Sequence, residues 1–127
     1  MLSEGEIELL IDGLTDDVSF SWALIDVGLR GNPPDEDVPP DREMIAAAFI
    51  SFERLVELGL VAIGRIDEDP DTPRGRYRAV KHVAEPIETV RDWMERECGQ
   101  AVSWPDWAFC CWLVSTDAGD EVARRHA

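Results

Sequence analysis

Residues 41–67 read DREMIAAAFISFERLVELGLVAIGRID, and the change of period inside this stretch decides the architecture. From Arg42 to about Leu58, the residues Ile45, Phe49, Phe52, Leu55 and Val56 recur at helical spacing and form one apolar face. Asp41 supplies the side-chain oxygen that a helix N-cap needs. Gly59 followed by Leu60 has the form of a Schellman stop, in which a glycine adopts the left-handed conformation and the chain reverses. The residues that follow, LVAIGRID, have the composition of a strand. A long amphipathic helix therefore runs straight into an extended segment.

Further along, LVAIGRID and GRYRAVKHV (75–83) flank the turn-rich EDPDTPRG, so a two-stranded hairpin with an irregular tip is expected. Pro86 suits the first turn of another helix, from about 86 to 98, with Ile87, Val90, Trp93 and Met94 on one face and Gly99 past its end. The aromatic run WPDWAFCCWLVS then predicts a buried strand from about Trp107 to Val114. A short helix capped by Thr116 or Asp117 and reaching Glu121 to Arg125 closes the chain.

In the other direction, GNPPDEDVPPD (31–41) carries four prolines and no period, which makes it a loop. Before it, VSFSWALIDVGLRG predicts a short extended piece, Val18 to Phe20, and a helix capped by Ser21 and stopped near Gly31. The first helix, about residues 4–13, is announced by Ser3 and Glu6 at capping-box spacing, with Leu2 and Ile7 placed as a hydrophobic staple. Ile7, Leu10, Ile11 and Leu14 lie on its inner face. There is no internal repeat and no domain boundary. The expectation is one α+β domain over residues 1–127, with about five helices and a small antiparallel sheet made of the hairpin and the late aromatic strand.

That order of elements, with ERLVELGLV ending the long helix and LVSTDAGDEVAR near the end of the chain, resembles a winged helix-turn-helix domain of the general regulator type. Leu55, Leu58, Gly59 and Leu60 match the leucine-rich turn that closes the third helix, and Thr116 and Gly119 match a Leu-x-x-Thr-x-x-Gly-like element before the last helix. The resemblance covers residues 3–83 and 112–125, makes the hairpin a wing, and implies a winged-helix-like fold. Two features depart from it. A helix and an aromatic strand separate the wing from the terminal element, and the outward side of the third helix carries Glu43, Glu53 and Glu57 against Arg42 and Arg54. A late helix rich in Trp and Glu, followed by a Trp-bearing strand and a Thr-x-x-Gly element, also resembles small acidic bacterial proteins without an assigned activity.

Composition narrows the function. The 127 residues are 45% hydrophobic and include five Trp, mainly a folding feature, since chains that cannot bury a core lack aromatics. The three cysteines are odd in number and Cys110 adjoins Cys111, a pattern that suits reduced buried thiols better than a disulfide framework or a metal knuckle. The N-terminal MLSEGEIELL has acids where a secretory leader needs bases, and no apolar run reaches membrane-spanning length, so a cytoplasmic location and no membrane partner are expected.

The net charge of −15 works against non-specific attraction to phosphate backbones. It is unevenly spread: residues 1–41 hold eleven acids and one base, for a net of −10. Glu4, Glu8 and Asp12 repeat at i, i+4 and i+8, and Asp16, Asp17, Asp35, Glu36 and Asp37 extend the set. Such a row is either a solvated helix side or the face of a neutraliser whose potential complements a basic partner. The bases Arg74, Arg76, Arg78 and Lys81 cluster on the expected wing, where they could grip phosphates or offset Asp67, Glu68 and Asp69.

Reactive groupings are not legible. The two histidines, His82 and His126, have no partner arrangement for a nucleophilic triad. Asp67, Asp69 and Asp71 alternate as calcium ligands do, but Thr72 replaces the turn glycine and Arg78 the bidentate glutamate. No glycine-rich phosphate loop follows a strand. We therefore expect no catalytic residues, no metal and no cofactor, and a non-enzymatic acidic module covering a basic protein in the manner of an immunity protein, antitoxin or inhibitor. The alternative is a winged-helix transcriptional regulator that binds DNA through the wing, in which case a homodimer would bring two wings to one duplex.

Overall fold

The computed structural model describes residues 2–27, 40, 42–66, 82–98 and 111–127. In chain order these form α1 (Glu4–Asp12), β1 (Val18–Ser19), α2 (Phe20–Val27), α3 (Arg42–Glu57), β2 (Val61–Ile66), β3 (His82–Ala84), α4 (Ile87–Cys98), β4 (Trp112–Ser115) and α5 (Asp117–His126). The fold is α+β, with five helices and one antiparallel sheet among the described residues.

Local chemistry explains most boundaries. At α1, the Ser3 hydroxyl accepts from the Glu6 amide at 3.1 Å while the Ser3 amide donates to Glu6 Oε1 at 2.8 Å, so two orphan donors are satisfied reciprocally. At the end of α3, Gly59 takes φ 73°. The Leu60 amide donates to the Leu55 carbonyl at 2.9 Å and the Gly59 amide to Val56 at 3.0 Å. These are the two hydrogen bonds of the Schellman motif.

Three expected boundaries move. The extended piece before α2 is only Val18–Ser19, and Ser19 rather than Ser21 stands at the helix start, its hydroxyl accepting from the Trp22 amide at 3.5 Å. The strand after the tip reaches Ala84 instead of stopping at Val83, and Pro86 precedes α4, with the amides of Thr89 and Val90 donating to its carbonyl. In the aromatic run, the strand Trp112–Ser115 ends one residue beyond the expected Val114, with Cys111 outside it. The last helix starts directly after Thr116, one of the two expected caps. The hairpin tip, Pro33, Pro34 and Pro39 of the proline-rich loop and residues 107–110 of the aromatic run lie outside the described residues, as does the Asp41 cap.

The strand order is β1-β4-β2-β3, every neighbour antiparallel. β4 comes from near the C-terminus yet occupies the interior of the sheet, pairing Val61↔Ser115 through Gly64↔Trp112 on one side and Val18↔Leu113 and Ser19↔Trp112 on the other. The Phe20 amide continues that second ladder by donating to the Cys111 carbonyl at 2.9 Å. Thus, among the described residues, β1 belongs to the sheet only through β4.

The core gathers side chains from all five helices and the sheet, and its centre is the trio Phe20, Phe49 and Phe52, all fully buried. Their ring centroids lie 5.1 to 6.5 Å apart, and Phe52 meets both partners edge-on, a favourable aromatic arrangement. Ile87, Val90 and Met94 of α4 are buried and Trp93 packs partly against the same core, as their spacing predicts. Arg91 of α4 pairs across to Glu53 of α3 at 3.0 Å and, within its own helix, with Glu95 at 3.5 Å. The Glu53 hydrogen bond is the main reason Arg91 holds its proton even more firmly than usual.

Both elements of the winged-helix resemblance meet in space. Thr116 caps α5 by accepting from the Gly119 amide at 3.1 Å, donates its hydroxyl to the Gly59 carbonyl at 2.6 Å, and donates its amide to Leu60 at 3.1 Å. Gly119 lies so close that a Cβ there would stand 2.1 Å from the Leu60 carbonyl oxygen. The turn after α3 and the start of α5 thus form one clasp.

Candidate functional site

Residues 2–27 hold seven acids and no base, and their placement separates structural from surface carboxylates. Glu6 is fully buried: Oε1 accepts from the Ser3 amide and from Arg54 Nη1 at 3.4 Å, which carries α3 onto the start of α1. Sequence spacing assigned Glu6 only its capping role. Glu4, Glu8 and Asp16 are exposed. Asp17, expected to belong to the open acidic face, is instead 6% exposed, where the turn after α1 runs into β1. It is therefore a buried group and not a surface charge.

At the C-terminal end of α1 the chain turns through Gly13, Leu14 and Thr15 and enters β1, which passes at once into α2. This tight connection brings the first turn of α2 back toward the last turn of α1. Trp22 Nε1 donates to Asp12 Oδ2 at 2.7 Å across the gap. Trp22 nonetheless remains 55% exposed. The expectation that tryptophans serve folding fails here: Trp22 lies on the outward side of α2, its polar edge held by Asp12 and much of its ring in solvent.

Beneath it opens a cleft of about 320 Å³ lined by Asp12, Thr15, Asp16, Asp17, Val18, Ser19, Trp22 and Trp112. Trp112 enters from β4 opposite Ser19 and is largely buried, so one indole stands at the rim and the other is recessed. Within the lining, Asp16 Oδ1 accepts from the Asp17 amide at 2.8 Å, and the Thr15 hydroxyl donates to the Asp12 carbonyl at 3.3 Å. Among the described residues the lining holds three carboxylates, two indoles, two hydroxyls and no base. A low-dielectric wall beside carboxylates focuses negative potential, and an indole face attracts cations.

Three of the expected acidic residues, Asp12, Asp16 and Asp17, thus meet at one place, with Glu4 and Glu8 extending from it along α1. Asp35, Glu36 and Asp37 lie outside the described residues, as do the wing bases Arg74, Arg76, Arg78 and Lys81. No group of three or more His, Cys, Asp or Glu among the described residues is arranged to hold a metal ion. No helix among the described residues is long and apolar enough to cross a membrane. The outer side of α3 presents Arg42, Glu43, Ile50, Arg54, Glu57 and Leu58, with Ile50 60% and Leu58 57% exposed. Arg54 there is engaged by Glu6, and Glu53 by Arg91.

Comparison of the chain with protein-family profiles, with curated proteins and with solved structures returned no match.

Proposed function

We propose that this protein is a non-enzymatic acidic binding module of the cytoplasm that covers a basic protein partner, as an immunity protein, antitoxin or inhibitor does. The observation that carries this reading is the outward carboxylate row of Glu4, Glu8, Asp12 and Asp16, running along α1 to a cleft with an exposed tryptophan, in a segment without a single base. Charge of one sign on a rigid helix accelerates encounter with a complementary surface and repels acidic competitors. An exposed indole at the end of the row adds the kind of rigid, amphipathic anchor that dominates protein interfaces.

A second reading is a winged-helix regulator that contacts DNA through Arg74, Arg76, Arg78 and Lys81, alone or as a homodimer. It is favoured by the order α1, β1, α2, α3 and hairpin, which follows the winged-helix pattern. The outer side of α3 speaks against it: two glutamates and two exposed aliphatic side chains stand where contacts to phosphate and base edges would be made.

The test is a tagged pull-down from host lysate, with and without nuclease, comparing the wild type with Glu4→Lys/Glu8→Lys/Asp16→Lys. All three positions are exposed, so the reversal leaves the core untouched. A stoichiometric basic protein retained after nuclease by the wild type, and lost by the variant at moderate salt, is the expected result. Retention undiminished by the reversal would refute the acidic face, and sequence-enriched DNA lost on nuclease treatment would favour the regulator.

A further inference from the structure

We propose that the cleft under Trp22 receives a single arginine side chain of the partner, its guanidinium stacked on the Trp22 indole and hydrogen-bonded to Asp16 and Asp12. This assignment rests on the reading above and specifies its anchoring contact. The cavity and the exposed ring carry it; the charge selects among ligands. At about 320 Å³ the cleft lies at the small end of the ~300–1,000 Å³ usual for ligand sites, room for one side chain or small amine. Among the described residues its lining has carboxylates and no base, which favours a cation over phosphates and carboxylates as its occupant.

Trp22 discriminates further. An indole so exposed forfeits most of the burial that would place it in a core, yet its Nε1 is tied to Asp12 at 2.7 Å. That bond fixes the ring at the rim and satisfies its polar edge. A flat cation that stacks on an aromatic face complements such a ring. A guanidinium is planar, weakly hydrated, and able to donate to carboxylates on one edge while its face lies on the indole, whereas an ammonium gives up more hydration to enter. The Trp22 hydrogen bond uses Asp12 Oδ2, and Asp16 is exposed, so carboxylate oxygens remain for the incoming cation. Val18 and the recessed Trp112 offer apolar surface to its methylene stem.

The test uses N-acetyl-arginine methylamide as the probe, with the citrulline analogue as its neutral isostere and the lysine analogue as a compact cation. Each is titrated into ¹⁵N-labelled protein at low and moderate salt while the indole resonance of Trp22, identified by its loss in Trp22→Phe, is followed. Saturable shifts of that resonance and of the Val18 and Ser19 amides are expected with the arginine probe, at an apparent Kd on the order of 1–10 mM for so small a ligand. The citrulline probe should leave them unmoved. Trp22→Leu should weaken binding about two- to fivefold, as an exposed cation–π contact implies, and Asp16→Asn about twofold or more.

Equal response to the citrulline probe, shifts spread along Glu4 and Glu8 with none at Trp22, or lysine binding as tightly as arginine would each overturn the assignment. The pull-down separates this failure from failure of the broader reading. A basic partner retained equally by wild type and Trp22→Leu, yet lost on reversal of Glu4, Glu8 and Asp16, would remove the arginine site and leave the acidic face standing. Arginine binding in the cleft without any basic protein in the eluate would do the opposite.

Discussion

Replacing Gly119 by alanine tests the clasp between α5 and the turn after α3. Within a helix such a change ordinarily stabilises by up to about 1 kcal/mol, because alanine loses less backbone entropy. Here the new Cβ would lie 2.1 Å from the Leu60 carbonyl oxygen and 2.8 Å from Ser115 Oγ. The serine hydroxyl can rotate away. The carbonyl cannot, because it belongs to the backbone entering β2 and accepts the Thr116 amide at 3.1 Å. Relief therefore requires α5 to withdraw, which stretches the 2.6 Å bond from Thr116 to Gly59 and loosens the packing of α5 on α1.

Overpacking of this kind costs ~1–3 kcal/mol, and weakening the Thr116 hydrogen bonds adds about 1 kcal/mol. Set against the propensity gain, the net expectation is a loss of about 1–3 kcal/mol. For a chain of this length that corresponds to a fall in Tm of roughly 4–12 °C. Urea and thermal unfolding followed by far-ultraviolet circular dichroism measure it directly. Ala118→Gly, one position earlier at an exposed site, is the control and should lose no more than about 1 kcal/mol. If Gly119→Ala proved as stable as the wild type or more so, helix propensity would outweigh the contact and the clasp would be wrong.

Gly59→Ala meets no atom within 4 Å but must hold a φ of 73°, so it should cost about 1–2 kcal/mol from backbone strain alone, read from the shift of the urea midpoint at constant slope. Phe52→Ala removes the ring that meets both other phenylalanines edge-on; a loss of ~3–5 kcal/mol is expected, and one below about 2 kcal/mol would place the core elsewhere. Glu6→Ala should destabilise more than Arg54→Ala, since it removes both the capping contact and the pair. Arg54 is about half exposed, so its truncation is expected to cost only about 1 kcal/mol, and a double-mutant cycle between the two gives the coupling.

How far the sequence can be read depends on the range of the interaction that forms each feature. The Ser3–Glu6 box, the Gly59–Leu60 stop and the cap of the last helix each close within about five residues, so residue type and spacing were enough to place the first two and to narrow the third to Thr116 or Asp117. The stripe of Ile45, Phe49, Phe52 and Leu55 was equally legible, because a helix period and a buried face are one pattern. Helix and strand ends were less so: β1 proved two residues long because Phe20, fully buried on the phenylalanine cluster, already belongs to α2.

For the candidate site, the sequence disclosed the charge but not its geometry. Glu4, Glu8 and Asp12 were readable as a row from their four-residue interval, and Asp16 continues it. That Asp17 is buried beside them depends on the direction of a turn, which spacing does not encode. Trp22 gave no indication of standing outside the core, since an aromatic residue in an apolar run reads as buried whichever way it faces.

By itself, then, the sequence determined the α+β class, most of the helices with the Ser3 box and the Gly59 stop, and a strongly acidic N-terminal third, because those properties are local or additive along the chain. Only the tertiary structure decided that β4 enters between β1 and β2, that Glu6 lies beneath Arg54, and that Trp112 closes a cleft opened by Asp12, Asp16 and Trp22. Each of these joins residues far apart in the chain. Such contacts are chosen by the simultaneous burial of many side chains, a condition that no single stretch of sequence expresses.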